Sequence, residues 1–340
     1  MQAALIGLGM VSRTYGEAIR NSQKVSLKTV YATSQDSRED FTIDFVDVCD
    51  TYADSLADIA NDPEIDFVIV ATPPNARIEI VQLMAEAGKP ILMEKPVERT
   101  LKSATAIVDY CEAKNVPLGI MLQHRARPIV GDLIEKLDDL GDLFAAEIAV
   151  PWWRPQSYYD ENGRGTYIRD GGGVMIAQAI HTLDLMLALT GPVLELTAMC
   201  ATTGFHDMEA EDFVSAGLKF ESGAAGTVLA TTASFPGKGE LITLHCRNGS
   251  ARLEAGQLEL SWQDGRTETL GQEASSGAGA DPMAFTSDWH QTVIEDFADA
   301  ISEKREPLIP GRSALEVHQL ISAIEQAGRD GERVYLKEFP

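Results

Sequence analysis

The 340-residue chain has few of the sequence features that are typical of secreted, membrane-spanning or small metal-binding proteins. Its four cysteines, Cys49, Cys111, Cys200 and Cys246, are widely separated, so neither a disulfide framework nor a metal-binding spacing is predicted. We therefore expect reduced thiols and no metal site. No apolar run approaches the roughly 18 residues of a membrane-spanning helix. The chain enters an apolar segment at once, without a basic leader, and we expect a cytoplasmic protein.

Positive charge is also scarce, since 28 Lys and Arg stand against 52 Asp and Glu, a net charge of −24. The acidic excess is spread over both halves of the chain. Nucleic acids and anionic membranes are unsuitable partners, because binding them requires many Lys and Arg contacts to phosphate. A small anionic substrate is not excluded. Five arginines lie close together in sequence and predict a locally neutral or positive site: Arg125, Arg127, Arg154, Arg164 and Arg169.

The first part of the chain alternates short apolar runs with helical patterns. Strands are predicted at residues 3–6, 25–32, 67–72, 90–93 and 118–122. The uninterrupted apolar run in 67–72 is typical of a strand buried on both faces of a parallel sheet. Alternating strands and helices indicate βαβ units, so we predict an α/β domain over residues 1–122 with a doubly wound parallel Rossmann sheet.

The pattern changes after residue 122. Helices are predicted at 128–140, 174–189, 287–303 and 313–327, with strands and hairpin turns over 193–270. Turn signals such as Asn248-Gly249 favour antiparallel hairpins. The small and polar residues 272–281 are predicted to form a loop. We therefore predict a second, α+β domain over residues 123–340 that contains a mainly antiparallel sheet.

A glycine-rich turn connects the first strand to the first helix. Gly7 permits a tight turn, and Gly9 lets the backbone approach a pyrophosphate at the helix N-terminus. Ser12 takes the place of the usual third glycine. In this context the motif predicts a dinucleotide site, although an ordinary strand–helix turn has the same appearance.

The second strand lacks the acidic residue that commonly binds the adenosine ribose. Ala32 occupies that position, followed by Thr33 and Ser34, with Arg38 nearby. Two hydroxyls and a guanidinium suit a 2′-phosphate, so the sequence favours NADP over NAD. The alternative is that Arg38 is a solvated surface charge.

Two further segments carry polar chemistry. Lys95 follows a buried strand at its carboxyl end, where it could hydrogen-bond a reacting hydroxyl or simply cap the strand. After three consecutive glycines, Gln178, His181 and Asp184 are spaced three apart and are expected to share one helix face. Histidine titrates near neutrality and suits proton transfer from an alcohol. A core histidine is the alternative.

These residues strongly resemble the motifs of the Gfo/Idh/MocA oxidoreductase family, named for glucose–fructose oxidoreductase and inositol dehydrogenase. The matching segments span nearly the whole chain: Gly7-Leu8-Gly9, Ala71-Thr72-Pro73-Pro74, Glu94-Lys95-Pro96, Gly171-Gly172-Gly173 through His181 and Asp184, Glu211-Asp212, Phe220-Glu221-Ser222-Gly223-Ala224 and Phe297-Ala298-Asp299-Ala300-Ile301. The resemblance implies a nicotinamide cofactor held by an N-terminal Rossmann domain, and sugar or polyol oxidation without metal. It also implies that the second domain binds substrate and has a large, mainly antiparallel open sheet, through which a homodimer or homotetramer forms.

The resemblance also implies site residues. Lys95 and His181 would be the catalytic pair. Cofactor contacts would come from Gly7, Gly9, Met10, Val11, Thr33, Ser34, Arg38, Thr72, Pro73, Asn75, Glu94, Lys95 and Gln123. Substrate contacts would come from Lys95, His124, Arg125, Arg154, Tyr158, Asp170, Gln178 and His181. Two positions depart from the family pattern: Ala177 stands where many members carry Asp or Asn, and Arg77 where many carry His.

The resemblance leaves several activities open. The main prediction is an NAD(P)-dependent dehydrogenase of a sugar or polyol. The order of Arg154, Tyr158-Tyr159 and Arg164-Gly165-Thr166 is similar to UDP-N-acetyl-hexosamine and -hexuronate 3-dehydrogenases. Other relatives cleave glycosides with tightly bound NAD, or serve as cofactor-sensing regulators without catalysis.

Overall fold

The computed structural model describes residues 1–272, 278–279 and 285–338, so most of the predicted loop 272–281 lies outside the described residues. The chain divides into two compact units. The first unit contains Met1–Ala126 and Ser287–Leu315, and the second contains Arg127–Thr286 and Glu316–Pro340. Among the described residues, no helix has both the length and the apolar character needed to cross a bilayer.

The strands and helices follow in chain order. The strands are β1 (Gln2–Ile6), β2 (Ser26–Tyr31), β3 (Phe67–Val70), β4 (Ile91–Glu94), β5 (Leu118–Met121), β6 (Leu143–Pro151), β7 (Val193–Ala201), β8 (Phe213–Phe220), β9 (Ala225–Thr231), β10 (Leu241–Cys246), β11 (Gly249–Glu254), β12 (Gln257–Trp262), β13 (Thr267–Gly271) and β14 (Val334–Tyr335). The helices are α1 (Ser12–Asn21), α2 (Gln35–Asp44), α3 (Leu56–Asn61), α4 (Arg77–Glu86), α5 (Leu101–Ala113), α6 (Pro128–Leu140), α7 (Gln156–Tyr159), α8 (Ile180–Thr190), α9 (Asp288–Glu303) and α10 (Gly311–Asp330).

The first unit is built on a parallel sheet with strand order β2-β1-β3-β4-β5. All residues of β3, β4 and β5 are buried, as expected for a sheet covered by helices on both faces. The predicted Rossmann-type α/β fold is therefore confirmed. Its carboxyl edge carries the turns that follow β1, β3, β4 and β5.

Helix α9 is part of this first unit, whereas the predicted division placed it in the second domain. Gly119 of β5 lies under the ring of Phe297, and a Cβ at Gly119 would stand 2.7 Å from that ring. Ile120 of β5 also donates a backbone hydrogen bond to Ile309. The distal segment is thus held by packing that sequence order does not reveal.

The second unit contains a nine-stranded sheet of order β13-β12-β11-β10-β6-β9-β8-β7-β14. Its pairs are antiparallel except for β6 and β9, which run parallel. Strand β8 alternates buried and exposed residues, which is typical of a sheet with one packed face. This confirms the mainly antiparallel open sheet. The sequence analysis missed β6, whose alanines give a weak strand signal, and α2, whose residues are mostly polar.

Candidate active site

The glycine turn after β1 has two glycines with different roles. Gly7 has φ +102°, and a Cβ there would lie 2.7 Å from both the Ala71 carbonyl carbon and the Thr72 backbone nitrogen. Gly7 is therefore required by the chain's own packing. A Cβ at Gly9 would meet nothing within 4 Å. The open space at Gly9 is what a phosphate-binding turn needs for close approach of a ligand to the backbone.

Helix α1 begins beside this open space. Its first turn carries no acidic residue, and its N-cap position, Val11, makes no side-chain hydrogen bond to the helix. Ser12 is buried and donates its hydroxyl to the Gly9 carbonyl, 2.7 Å away. The N-terminal N–H groups are thus not capped by a side chain, and the helix dipole favours an anion there. These features fit the pyrophosphate of a dinucleotide.

Two buried polar atoms lie at the carboxyl edge of the same sheet. The Thr72 hydroxyl follows β3, the Gln123 side-chain oxygen follows β5, and each is buried without a hydrogen-bond partner among the described residues. Orphaned buried polar atoms are uncommon and call for a partner. A cofactor's amide or hydroxyl groups would provide one. Both residues belong to the predicted cofactor set, as do the exposed Met10, Pro73 and Asn75.

The end of β2 holds the residues predicted to select NADP. The Ser34 hydroxyl caps α2 by accepting a hydrogen bond from the Ser37 backbone, 3.2 Å away. Arg38 is half-buried, donates to the Ala53 carbonyl at 3.1 Å and lies over the Tyr52 ring. Arg38 is therefore held in place rather than freely solvated. Thr33 is exposed.

Arg77 is a buried cation whose guanidinium is held by backbone carbonyls close to Lys95. It is 2% exposed, and its guanidinium donates to the Thr72 carbonyl after β3 and to the Glu94 and Pro96 carbonyls after β4. Its Nη2 also lies 3.4 Å from the Lys95 carbonyl. Burial lowers the pKa of Arg77 to about 10, although nearby Glu94 opposes the shift. The sequence marked Arg77 only as a departure from a family pattern and gave no sign of these hydrogen bonds.

Glu94 is buried within the first unit rather than open at its surface. Its carboxylate accepts hydrogen bonds from the Tyr15 hydroxyl at 2.9 Å and from the Lys95 backbone N–H at 3.0 Å. His290 of α9 lies 3.8 Å away. Burial opposes ionisation of Glu94, but the hydrogen bond and charge of His290 hold its pKa below the ordinary value. The Glu94 carboxylate thus anchors the Lys95 turn, and the cofactor contact of Glu94 stays a prediction.

The turn after β5 carries Gln123, His124 and Arg125. Gln123 and His124 are buried, and His124 makes an edge contact with the Trp289 ring of α9. Arg125 is half-buried. Lys95 is also half-buried.

In the second unit, Gly173, the last of the three glycines before His181, is required by the chain's own packing. A Cβ at Gly173 would stand 1.8 Å from the Glu211 carbonyl oxygen. The Glu211 carboxylate accepts from the N–H groups of Gly173 and Met175, at 3.1 and 3.2 Å, and so caps the start of the histidine segment. Close approach of a ligand to the glycine backbone stays a prediction.

Glu211 has a second carboxyl group as a neighbour. An added Cβ at Gly172 would stand 3.2 Å from a Glu325 oxygen and 4.0 Å from a Glu211 oxygen, so both carboxyls border Gly172. Burial and the charge of Glu211 raise the pKa of Glu325 to about 8. Glu325 therefore holds a proton at neutral pH.

The histidine segment is not one regular helix. Met175–Ala179 is π-helical, and α8 begins at Ile180. The regular spacing assumed for Gln178, His181 and Asp184 is therefore interrupted before His181. All three side chains are buried, and Asp184 is fully buried. π-Helical turns are frequently found at functional sites.

Tyr158 and Gln178 are joined by a hydrogen bond. The Tyr158 oxygen accepts hydrogen bonds from Arg164 at 2.9 Å and from the Gln178 amide at 3.3 Å. With two donors already on this oxygen, its own proton remains to be donated. The Gln178 side-chain oxygen is buried and has no hydrogen-bond partner among the described residues. A sugar hydroxyl could accept from Tyr158 and donate to Gln178.

The arginines of the second unit that predicted a locally neutral or positive site make contacts within the protein. Arg127 is buried, 2.6 Å from Glu240, and Arg154 is 2% exposed and donates to the Trp153 and Gly279 carbonyls. Arg164 and Arg169 both pair with Glu161. Those pairings and their hydrogen bonds lower the pKa of Glu161.

The Asp170 carboxylate also makes contacts within the protein. It accepts from the Gly165 backbone at 2.8 Å and lies 3.7 Å from Arg169. If Arg154 and Asp170 bind substrate as predicted, they do so while making these structural contacts or after breaking them.

Comparison with known proteins agrees with the fold and the motifs. Residues 1–122 match the model of an oxidoreductase family with an NAD-binding Rossmann fold, and residues 133–252 match the GFO/IDH/MocA C-terminal domain. The chain is similar to D-apiose dehydrogenase of Paraburkholderia graminis, with 28% identity over 99% of this chain and 90% of that protein.

Two solved structures are similar over nearly their full length. One is the WlbA dehydrogenase from Bordetella pertussis in complex with NADH and UDP-GlcNAcA, with 25% identity, TM-score 0.81 and 98% of each chain covered. The other is a levoglucosan dehydrogenase in complex with NADH and levoglucosan, with 20% identity, TM-score 0.87, and 99% of this chain and 100% of that chain covered. The chain belongs to the Gfo/Idh/MocA family and is an oxidoreductase that uses a nicotinamide dinucleotide.

Proposed function

We propose that this protein oxidises one hydroxyl of a neutral sugar or polyol, with Lys95 and His181 as the acid/base groups. The observation that carries the substrate class is the pair of Tyr158 and Gln178. Tyr158 offers a hydroxyl proton, and Gln178 offers a buried side-chain oxygen without a partner among the described residues. Such alternating donors and acceptors suit a polyhydroxyl ligand.

Gly9, the N-terminus of α1, Thr72 and Gln123 would hold the dinucleotide. The nicotinamide supplies the acceptor for the hydride that leaves the substrate carbon. We propose NADP as the preferred form, because Ala32 replaces the acidic residue that would select NAD, and Ser34 and Arg38 lie close to it in sequence. Arg38 is already oriented by its contact with Tyr52.

Two side chains of the protein assist the transfer of the proton from the reacting hydroxyl. His181 accepts the proton of the reacting hydroxyl, since imidazole is a base near neutral pH. The Lys95 ammonium donates a hydrogen bond to the same oxygen and stabilises the negative charge that develops there. Ala177 offers no carboxylate to assist His181, so the proposed proton chemistry is assigned to His181 and Lys95.

The charge of the substrate follows from the arginines of the second unit. Anionic sugars are commonly bound by arginine forks, but Arg164 and Arg169 are paired with Glu161, and Arg154 donates to backbone carbonyls. Breaking such contacts to bind a uronate or a diphosphate would leave Glu161 unpaired. A neutral sugar, as in the related D-apiose dehydrogenase, is therefore favoured over a nucleotide-linked sugar acid.

Substitution of the two acid/base groups tests this proposal. We expect Lys95→Ala and His181→Ala each to lower kcat by about 10²- to 10⁴-fold, because a positioned proton-transfer group contributes that much. Cofactor affinity, measured by quenching of protein fluorescence, is expected to change little. The controls are Lys102→Ala, at an exposed lysine, and His245→Ala, at a half-exposed histidine of β10. A wild-type rate in either test variant would rule out the assignment.

We also propose that the protein is a cytoplasmic homo-oligomer that associates through its nine-stranded sheet. Met199 of β7 and Leu229 of β9 are exposed large apolar residues on that sheet, and Phe205 and Phe235 are exposed nearby. Leu229 and Phe205 line an open, mainly apolar groove of about 510 Å³. Light scattering of the purified chain measures the oligomeric state.

A further inference from the structure

Arg77 joins the turns that follow two paired strands, β3 and β4. Its Nε and Nη2 both donate to the Thr72 carbonyl, at 3.0 and 2.7 Å. Its Nη1 donates to the carbonyls on either side of Lys95, those of Glu94 and Pro96. The guanidinium thereby links the turn after β3 to the turn that carries Lys95.

This arrangement depends on the shape of the guanidinium. Arginine presents five donors in a rigid planar fork, whereas lysine presents one ammonium on a flexible stem. Four backbone carbonyls, those of Thr72, Glu94, Lys95 and Pro96, lie within reach of the Arg77 nitrogens. A lysine at this position could satisfy only part of that set. The remaining carbonyls would lose their donor, which is unfavourable for polar groups that are shielded from water.

The charge of Arg77 is costly and is retained nevertheless. The side chain is 2% exposed, and its hydrogen bonds go to neutral carbonyls rather than to a carboxylate. Glu94 and Glu98 are buried nearby, and their charges partly offset the desolvation of Arg77. Since a buried charge contributes little net stability compared with an apolar side chain of similar size, stability alone does not explain this arrangement.

We propose that Arg77 is a positioning residue that fixes the Lys95 backbone and so orients the Lys95 ammonium for the reaction. This inference rests on the proposed role of Lys95. Arg77 is buried and makes its contacts to carbonyls, so it acts through Lys95 and does not touch substrate. Misplacing a reacting group by about 1 Å can cost on the order of 10²-fold in rate.

The test compares Arg77→Lys and Arg77→Gln with a matched control, Arg127→Lys. Arg127 is also 2% exposed and also donates to a backbone carbonyl, that of Ala255, 3.0 Å away, but it lies in the second unit. Two readouts are used at a temperature where each variant is folded. One is steady-state kinetics with the sugar. The other is the rate at which Lys95 is acylated by an amine reagent, followed by mass spectrometry.

For both Arg77 variants we expect kcat to fall about 10- to 100-fold with the sugar KM changed by less than about threefold. We also expect the acylation rate of Lys95 to change severalfold. Arg127→Lys should lower thermal stability without altering either readout. Wild-type kcat and Lys95 labelling in the Arg77 variants would overturn the proposal. So would unfolding of both Arg77 variants under conditions where Arg127→Lys remains folded, since the role would then be purely structural.

Failure of this inference is distinguishable from failure of the proposed function. If Lys95→Ala loses activity while Arg77→Lys keeps it, only the positioning role is wrong. If Lys95→Ala keeps activity, the catalytic role of Lys95 is wrong, and the labelling experiment still reports whether Arg77 orients that side chain.

Discussion

Replacing Gly7 and Gly9 separately by alanine distinguishes folding from cofactor binding. At Gly7 an added Cβ meets backbone atoms at 2.7 Å, and φ is +102°. The unfavourable backbone conformation costs about 1–2 kcal/mol, and the steric overlap about 1–3 kcal/mol. Together they predict a loss of about 2–5 kcal/mol in the free energy of unfolding. At Gly9 the Cβ meets nothing within 4 Å, so no such loss is expected.

Gly9→Ala should instead affect the ligand. In the absence of cofactor, its stability should equal that of the wild type or rise by about 0.4–1 kcal/mol, since alanine restricts the unfolded chain. A methyl group in the space meant for a pyrophosphate should weaken binding by about 1–3 kcal/mol, which is a rise in Kd of about 5- to 150-fold.

The assay is thermal unfolding with and without NAD or NADP, together with direct titration of the dinucleotide. We expect Gly7→Ala to unfold at a clearly lower temperature in both conditions. Gly9→Ala should match the wild type without cofactor and show a smaller increase in Tm when it is added. Equal destabilisation by the two substitutions, or wild-type affinity in Gly9→Ala, would refute the assignment of Gly9 to the cofactor.

Two further predictions concern charge. Because the pKa of Glu325 is raised to about 8 from an ordinary 4.5, the folded state retains a proton that the unfolded chain releases, and stability should fall as pH rises between these values. Glu325→Gln should remove part of that fall in stability, on the order of 2 kcal/mol after solvent screening. Urea unfolding of the wild type and the variant at pH 6 and pH 8.5 measures the difference. Equal pH dependence of stability in the two proteins would contradict the prediction. Arg38→Ala should raise the KM for NADP at least severalfold and leave the KM for NAD nearly unchanged; a wild-type preference for NAD would show that Arg38 does not bind a 2′-phosphate.

The sequence predicted what depends on local pattern. The apolar run of β3 and the glycines before α1 identified a parallel sheet with a dinucleotide turn, because buried strands and tight turns restrict residue types strongly. Hairpin signals such as Asn248-Gly249 identified the second sheet, although the alanines of β6 gave no comparable signal.

Contacts between distant segments could not be predicted in this way. Nothing in the sequence links Phe297 to Gly119, or Glu211 to Gly173, since each contact depends on how the chain folds back. The arginines illustrate the same limit. Their spacing indicated a locally neutral or positive site, but the pairing of Arg164 and Arg169 with Glu161 is revealed only by the structure.

The proposed reaction transfers hydride from a neutral polyhydroxyl substrate to a nicotinamide. It is measured most directly by the absorbance of reduced cofactor on mixing the protein with NADP or NAD and a panel of aldoses, inositols, sugar acids and UDP-sugars. We expect turnover with a neutral aldose or polyol and little with the acids or UDP-sugars. Turnover restricted to an anionic or nucleotide-linked sugar would contradict the substrate class, and cofactor binding without turnover across the panel would contradict the dehydrogenase itself.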